Sequence, residues 1–115
     1  AIQALFQTTI KCATTAKRPR GCLLVSVASE MATRDNEVRN KLSKGYASRV
    51  AAISERVNAE QVAGRLARHP SAEKLAKMIV SVTHGLVARA RMGASRNELL
   101  ELADGFLDML VPASD

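Results

Sequence analysis

SAEKLAKMIVSVTHGLVARARMG, residues 71–93, spells out one helix from its first cap to its last. Leu75, Ile79, Val82, Leu86 and Ala90 recur at intervals of three and four, which places them on one face of an α-helix; a strand, with its period of two, would scatter them. A second apolar set, Ala76, Val80, Thr83 and Val87, runs alongside. Ser71 stands where an N-cap hydroxyl can accept from a free backbone N–H, and Glu73 falls in the first turn, where the helix dipole favours negative charge. Arg89 and Arg91 occupy the last turn. Gly93 follows at the position where helices most often end in the left-handed conformation. The stretch reads as one helix with a stop at each end and two apolar faces.

The sequence on either side repeats this grammar. Downstream, Ser95-Arg96-Asn97-Glu98 forms a capping box that opens another helix. Its apolar positions Leu99, Leu100, Leu102, Ala103, Phe106, Leu107, Met109 and Leu110 exceed a single stripe, and Pro112 ends it. Upstream, Asp35 is a good N-cap for a long helix with Val38, Leu42, Tyr46, Val50, Ile53 and Val57 as its stripe; the register slips near Asn58, and the helix either continues or breaks before Gly64. Before that, Cys22 to about Thr33 begins with two turns that are apolar all round, the signature of a helix buried inside a bundle. Ile2, Leu5, Phe6, Ile10 and Ala13 draw the stripe of a first helix, closed by Lys17-Arg18-Pro19-Arg20-Gly21. The expectation is an all-α bundle of five helices.

Composition agrees. The 115 residues suit one domain, and 47% are hydrophobic while the aromatics are one Tyr and two Phe, with no Trp. A core of Leu, Val, Ile, Ala and Met favours helices packed on helices. Cys12 and Cys22 read as small buried hydrophobes of a reducing compartment rather than a disulfide framework. With no charged-then-apolar leader and no apolar run of bilayer length, a soluble cytoplasmic protein is expected, with no membrane partner. The chain opens at Ala1 without Met, which fits a fragment. The formal net charge is +6. Basic residues are spread along the chain, and only Lys17, Arg18 and Arg20 cluster, so a solvated surface is the favoured reading; direct nucleic-acid binding by a small basic helical protein is the alternative.

The last two helices carry more apolar surface than one small core is expected to absorb. Two adjacent antiparallel helices of this kind ask for a partner, and a second copy across a two-fold axis would complete a four-helix interface. The residues expected there are Val80, His84, Val87, Arg91, Leu100, Ala103, Phe106, Leu107 and Leu110. Gly85 would permit close helix approach.

Gly21-Cys22-Leu23-Leu24-Val25, with Glu30 a turn or two later, resembles the segment that opens a buried helix in many effector domains of the tetracycline-repressor (TetR) family of transcriptional regulators. Glu37-Val38-Arg39 at the start of a long helix is similar to theirs. So is the helix from Leu75 to Gly93, with Gly85-Leu86 inside it and Ala90-Arg91-Met92-Gly93-Ala94 at its end. The Ser95 capping box and the Leu-rich final helix complete an ordered set that covers essentially the whole chain. The resemblance implies a ligand-binding and dimerisation domain over residues 1–115, whose first four helices enclose a pocket for a small, apolar effector. It also implies a preceding helix-turn-helix domain. No segment of this chain reads as a recognition helix, so DNA would be reached only through that absent domain, whose paired readers the dimer would space.

By stripe and family position, the residues expected to line the pocket are Phe6, Ile10, Met31, Leu42, Tyr46, Val50, Met78 and Val82, with Tyr46 able to orient a ligand through its phenol. No catalytic constellation is expected: His69 and His84 have no Cys or carboxylate at metal-ligand spacing, Ser26 and Ser29 lack a neighbouring base, and there is no glycine-rich phosphate cradle. Neither a metal nor a cofactor is expected.

Overall fold

The computed structural model describes residues 2–14 and 31–112, which form four α-helices and no strand. They are α1 (Ile2–Thr14), α2 (Asn36–Val62), α3 (Ala72–Arg91) and α4 (Arg96–Asp108). The all-helical class is as expected, but the count of five is not matched by the described residues. α1 to α4 are the first, third, fourth and fifth of the expected helices. The second, starting at Cys22, lies outside the described residues except for its end, where Met31 and Ala32 are helical before a turn at Thr33 and Arg34.

Three of the helix starts have the cap their sequence demands. The Asp35 carboxylate accepts from the N–H groups of Glu37 and Val38, Ser71 Oγ from Lys74 N–H, and Ser95 Oγ from Glu98 N–H. These bonds satisfy backbone donors that the helix itself leaves free. α2 does not break near Asn58 but runs on to Val62 and stops at Ala63. Beyond it Gly64 takes φ +79°, its N–H donating to Gln61 O and that of Arg65 to Glu60 O. α3 ends in the same way: Gly93 has φ +98°, its N–H donates to Ala90 O, and Ala94 N–H reaches back to Arg89 O. In both places the left-handed backbone lets two orphan carbonyls be capped at once, and a side chain there would be strained.

α3 lies at the centre, packed most extensively against α2 and next against α1; α1 also rests on α4, while α3 and α4 touch only lightly. The helix directions follow from the short links and a few bonds. Arg96 Nε donates to Thr14 Oγ1, so the start of α4 meets the end of α1. Ala67 N–H donates to the carbonyl of Leu110, which ties the α2–α3 link to the end of α4. α1 and α3 therefore run one way, α2 and α4 the other.

The core is the meeting of four stripes. Phe6 and Ile10 from α1, Val57 from α2, Leu75, Ile79 and Val80 from α3 and Leu99 from α4 are all at most 1% exposed. Each such aliphatic or aromatic side chain gains roughly 1.5–3 kcal/mol by leaving water. Polar groups inside are paired: Thr83 Oγ1 donates to Ile79 O, and buried Gln61 donates through Nε2 to both Ala67 O and Pro70 O, stitching the α2–α3 link to α2. Cys12 departs from expectation. It is an exposed free thiol, because two residues past Ile10 is about 200° around α1 from the buried stripe. Cys22 lies outside the described residues.

Candidate functional site

The C-terminal pair was expected to turn a spare apolar face outward, and α3 and α4 do so differently. On α3, Leu75, Ile79 and Leu86 of one apolar face are buried, and so are Ala76, Val80 and Thr83 of the other. Both faces are consumed inside the chain, because a helix flanked by α2 and α1 has two neighbours to satisfy. The expectation that both faces of α3 could not fit in one core is thus corrected for this helix.

One ion pair and one repulsion between basic groups orient α3's edges. Arg89 Nη2 donates to Glu98 Oε1 at 2.8 Å, so the edge holding Met78, Val82, Gly85 and Arg89, spaced by four, three and four, looks toward α4. Val80, His84, Val87 and Arg91, with the same spacing, lie on the opposite edge, and His84 feels the charge of Arg49, so this edge looks toward α2. The His84 imidazole is held below its ordinary pKa by partial burial and, secondarily, by the Arg49 guanidinium. Of the α3 residues expected at an interface, Val80 is 1% exposed in the chain's own core, His84 lies near Arg49 of α2, and Arg91 lines a groove beside the end of α1. The Met78 and Val82 expected at a pocket sit on the edge toward α4.

α4 keeps part of its apolar surface outside. Leu99, Ala103 and Leu110 are buried, and Leu100, Phe106 and Leu107 pack half-buried against the core. Phe106 meets Phe6 edge to face, ring centroids 5.9 Å apart at 73°, the arrangement aromatic quadrupoles favour. One residue expected at the interface and one expected in the pocket thus meet within a single core. Leu102 is 50% exposed and Met109 78%, with Gly105 between them on the same outward stripe. That stripe adjoins the α3 edge of Met78 and Gly85 across the Arg89–Glu98 pair. A Cβ built at Gly85 or Gly105 meets nothing within 4 Å. Mid-helix glycine costs about 1 kcal/mol relative to alanine, and nothing among the described residues requires it at either position.

The residues expected to line a pocket do not gather in one place. Phe6, Ile10 and Val50 belong to the core; Val82 packs half-buried against it and Leu42 is half-buried. Met31, Tyr46 and Met78 are 48%, 40% and 41% exposed. Val38, Leu42 and Tyr46 continue the α2 stripe whose lower part, from Val50 to Val57, is buried, but among the described residues they are only partly covered. Met31 lies at that end too, since Arg39 Nε donates to Ala32 O and pins the turn to the start of α2. Met78, near the start of α3, lies at the other end.

Two open grooves sit at opposite ends of the bundle. One, of about 490 Å³, has Ile2, Leu66, Leu107 and Val111 as its apolar floor, with Asp104 and Asp108 on its walls. The other, of about 640 Å³, lies where α1 ends and α3 turns into α4, between Thr14, Arg91 and Arg96. None of the eight expected pocket residues lines either one. Beside the first groove, hydrogen bonds from Arg65 at 2.6 and 3.0 Å hold the Glu60 carboxyl below its usual pKa. Among the described residues no group of His, Cys, Asp and Glu is placed to hold a metal ion, and no helix is long and apolar enough to cross a membrane.

The described residues thus form a helical bundle with capped starts, a central helix covered on two sides and a last helix partly uncovered on its outer side. The tetracycline-repressor-like C-terminal domain matches residues 1–106, and the chain belongs to that family. It is similar to the HTH-type transcriptional repressor ComR of Escherichia coli (strain K12), with 22% identity over 103 residues, 90% of this chain and 49% of the relative. The chain thus spans about half the length of that relative. No solved structure matches it.

Leu102, Gly105 and Met109 are the candidate-site residues that sequence reasoning missed. Their spacing of three and four was visible, but sequence alone did not tell which of the crowded apolar positions of the last helix turn inward.

Proposed function

We propose that this chain is the effector and dimerisation domain of a ligand-responsive transcriptional regulator, a repressor, whose DNA-reading helix-turn-helix domain is a separate unit. The observation that carries the reading is the outward surface shared by α3 and α4. Leu102, Met109 and Met78 are exposed there, and Gly85 and Gly105 sit mid-helix over open space. Helices that approach closely across a two-fold axis use small residues to let backbones near and longer apolar ones to fill beside them. A second copy laid on this face would form a four-helix interface and give each glycine the purpose it lacks within one chain.

The same reading gives the effector a wall. Val38, Leu42 and Tyr46 form a half-covered apolar strip with one phenol, suited to a small apolar ligand that needs one oriented hydrogen bond. Ligand binding would favour one spacing of the two protomers over another, and so shift the regulator between DNA-competent and incompetent states.

Sizing with light scattering tests the reading directly. The expected result is a dimer at micromolar concentration, converted to monomer by Leu102→Glu with Met109→Glu, while helical content by circular dichroism is unchanged. A wild-type monomer under the same conditions overturns the proposal.

A further inference from the structure

Charges that look scattered along the sequence are not scattered in space. The antiparallel packing brings the first half of α2, the end of α1 and the α3–α4 turn to one end of the bundle. The first half of α2 and the turn before it carry Arg34, Arg39, Lys41, Lys44 and Arg49; the α3–α4 turn adds Arg89, Arg91 and Arg96, and α1 adds Lys11. Among the described residues, only Asp35, Glu37, Glu98 and Glu101 oppose them there. Asp35 is engaged as a helix cap, while Glu37 and Glu98 pair with Lys41 and Arg89. At the other end, Arg56, Arg65, Arg68, Lys74 and Lys77 are matched one for one by Glu55, Glu60, Glu73, Asp104 and Asp108. The net positive charge of the described residues therefore sits entirely at one end.

α2 has 27 residues and so spans about 40 Å. The two groups meet mid-bundle, but their extremities, Arg34 before α2 and Arg65 after it, are several screening lengths apart at physiological salt, about 8 Å. The basic end is broad and exposed, Lys41 being 79% exposed in its side chain even where paired. It offers no row of aromatics on which successive bases of a single strand could stack, since Tyr46 is the chain's single Tyr and the two Phe are packed against each other.

We propose that this basic end attracts duplex DNA through its phosphate backbone, so that the effector domain itself adds sequence-independent affinity to whatever reader it accompanies. The choice of duplex DNA over another polyanion rests on the regulator reading above; the attraction rests on charge placement alone. A surface of this kind positions without specifying, because phosphates carry no sequence information. Its physical mark is counterion release, with a steep fall of affinity as salt rises.

The test uses this chain as it stands and a labelled duplex of arbitrary sequence, titrated at about 50 and 200 mM salt and followed by fluorescence anisotropy. About four phosphate contacts give a loss on the order of 100-fold between those salts. Replacing Arg34, Lys41 and Lys44 together by Gln should weaken binding at least about tenfold at the lower salt and flatten the salt slope by about 0.9 for each phosphate no longer neutralised. Arg56, Lys74 and Lys77 replaced together by Gln remove the same charge from the other end and should change affinity less than about threefold, as expected for a surface outside the contact. Equal weakening by both triples overturns the proposal, since net charge rather than this end would then be the cause. So does an absence of binding at the lower salt, or binding of the wild type to phosphatidylserine vesicles in place of DNA. Circular dichroism of each triple excludes loss of fold. A chain that fails to dimerise can still pass this test, so failure of the two readings is distinguishable.

Discussion

α3 and α4 have the same kind of sequence and opposite fates. Each carries apolar residues around more of its circumference than one stripe needs. α3 finds neighbours for both faces within the chain, α2 on one edge and α1 on the next, and shows the solvent Lys74, Ser81, His84 and Ala88. α4 touches α1 well and α3 lightly, so Leu99 and Ala103 are buried while Leu102 and Met109 are left outside. Apolar width therefore measures how many partners a helix needs and says nothing of whether those partners are its own chain. The number of neighbours decides.

Substitutions at the most deeply buried positions of both helices have the largest effect. Ile79→Ala in α3 and Leu99→Ala in α4, both at fully buried positions, should each cost about 2–5 kcal/mol of stability through forfeited transfer energy and cavity formation. Leu102→Ala should cost under about 0.5 kcal/mol in the monomer, as exposed substitutions do. Denaturant unfolding of the dilute, monomeric chain measures all three. If Leu102→Ala matches Leu99→Ala there, the contrast between inner and outer faces of α4 is wrong.

Gly85 and Gly105 carry a smaller effect. Gly85→Ala and Gly105→Ala place a methyl in open space, so each should raise monomer stability by up to about 1 kcal/mol through helix propensity. The same substitutions should weaken self-association in sedimentation equilibrium, because the methyl holds the opposing backbone away. A gain in both quantities would mean that the glycines do not face a second helix.

His84, on the α2 edge of α3, gives the smallest effect. Its folded-state pKa lies below the ordinary imidazole value of 6.5, so the unfolded chain binds the proton more readily. Stability is whole above about pH 6.5 and falls as pH drops from there through the folded pKa. Thermal melting from about pH 7.5 to about pH 5.5, a window that brackets the imidazole titration, should show a slight decrease that His84→Gln removes. An increase would reverse the assigned sign.

Much of the local structure was legible from the sequence. Asp35, Ser71 and Ser95 cap the helices they were expected to cap, and Gly93 ends α3 as a left-handed residue, because a cap is a bond between near neighbours. Ile2, Phe6, Ile10 and Ala13 of the expected α1 stripe are buried for the same reason of short range, while Leu5, at its edge, is exposed. The site was less so. Val80 was expected at an interface and lies in the core, and Met78 was expected in a pocket and lies exposed beside α4. Both readings depended on which helix stands next to which.

The amino-acid order was enough for the helical class, the starts of α2, α3 and α4, the end of α3 and a mainly aliphatic core, since these follow from hydrogen bonds and periodicities within a few residues. Packing alone sets which apolar face of α3 or α4 stays outside and gathers the net positive charge of the described residues toward one end. Those properties belong to pairs of helices distant in sequence, and no local pattern records the angle at which two helices meet.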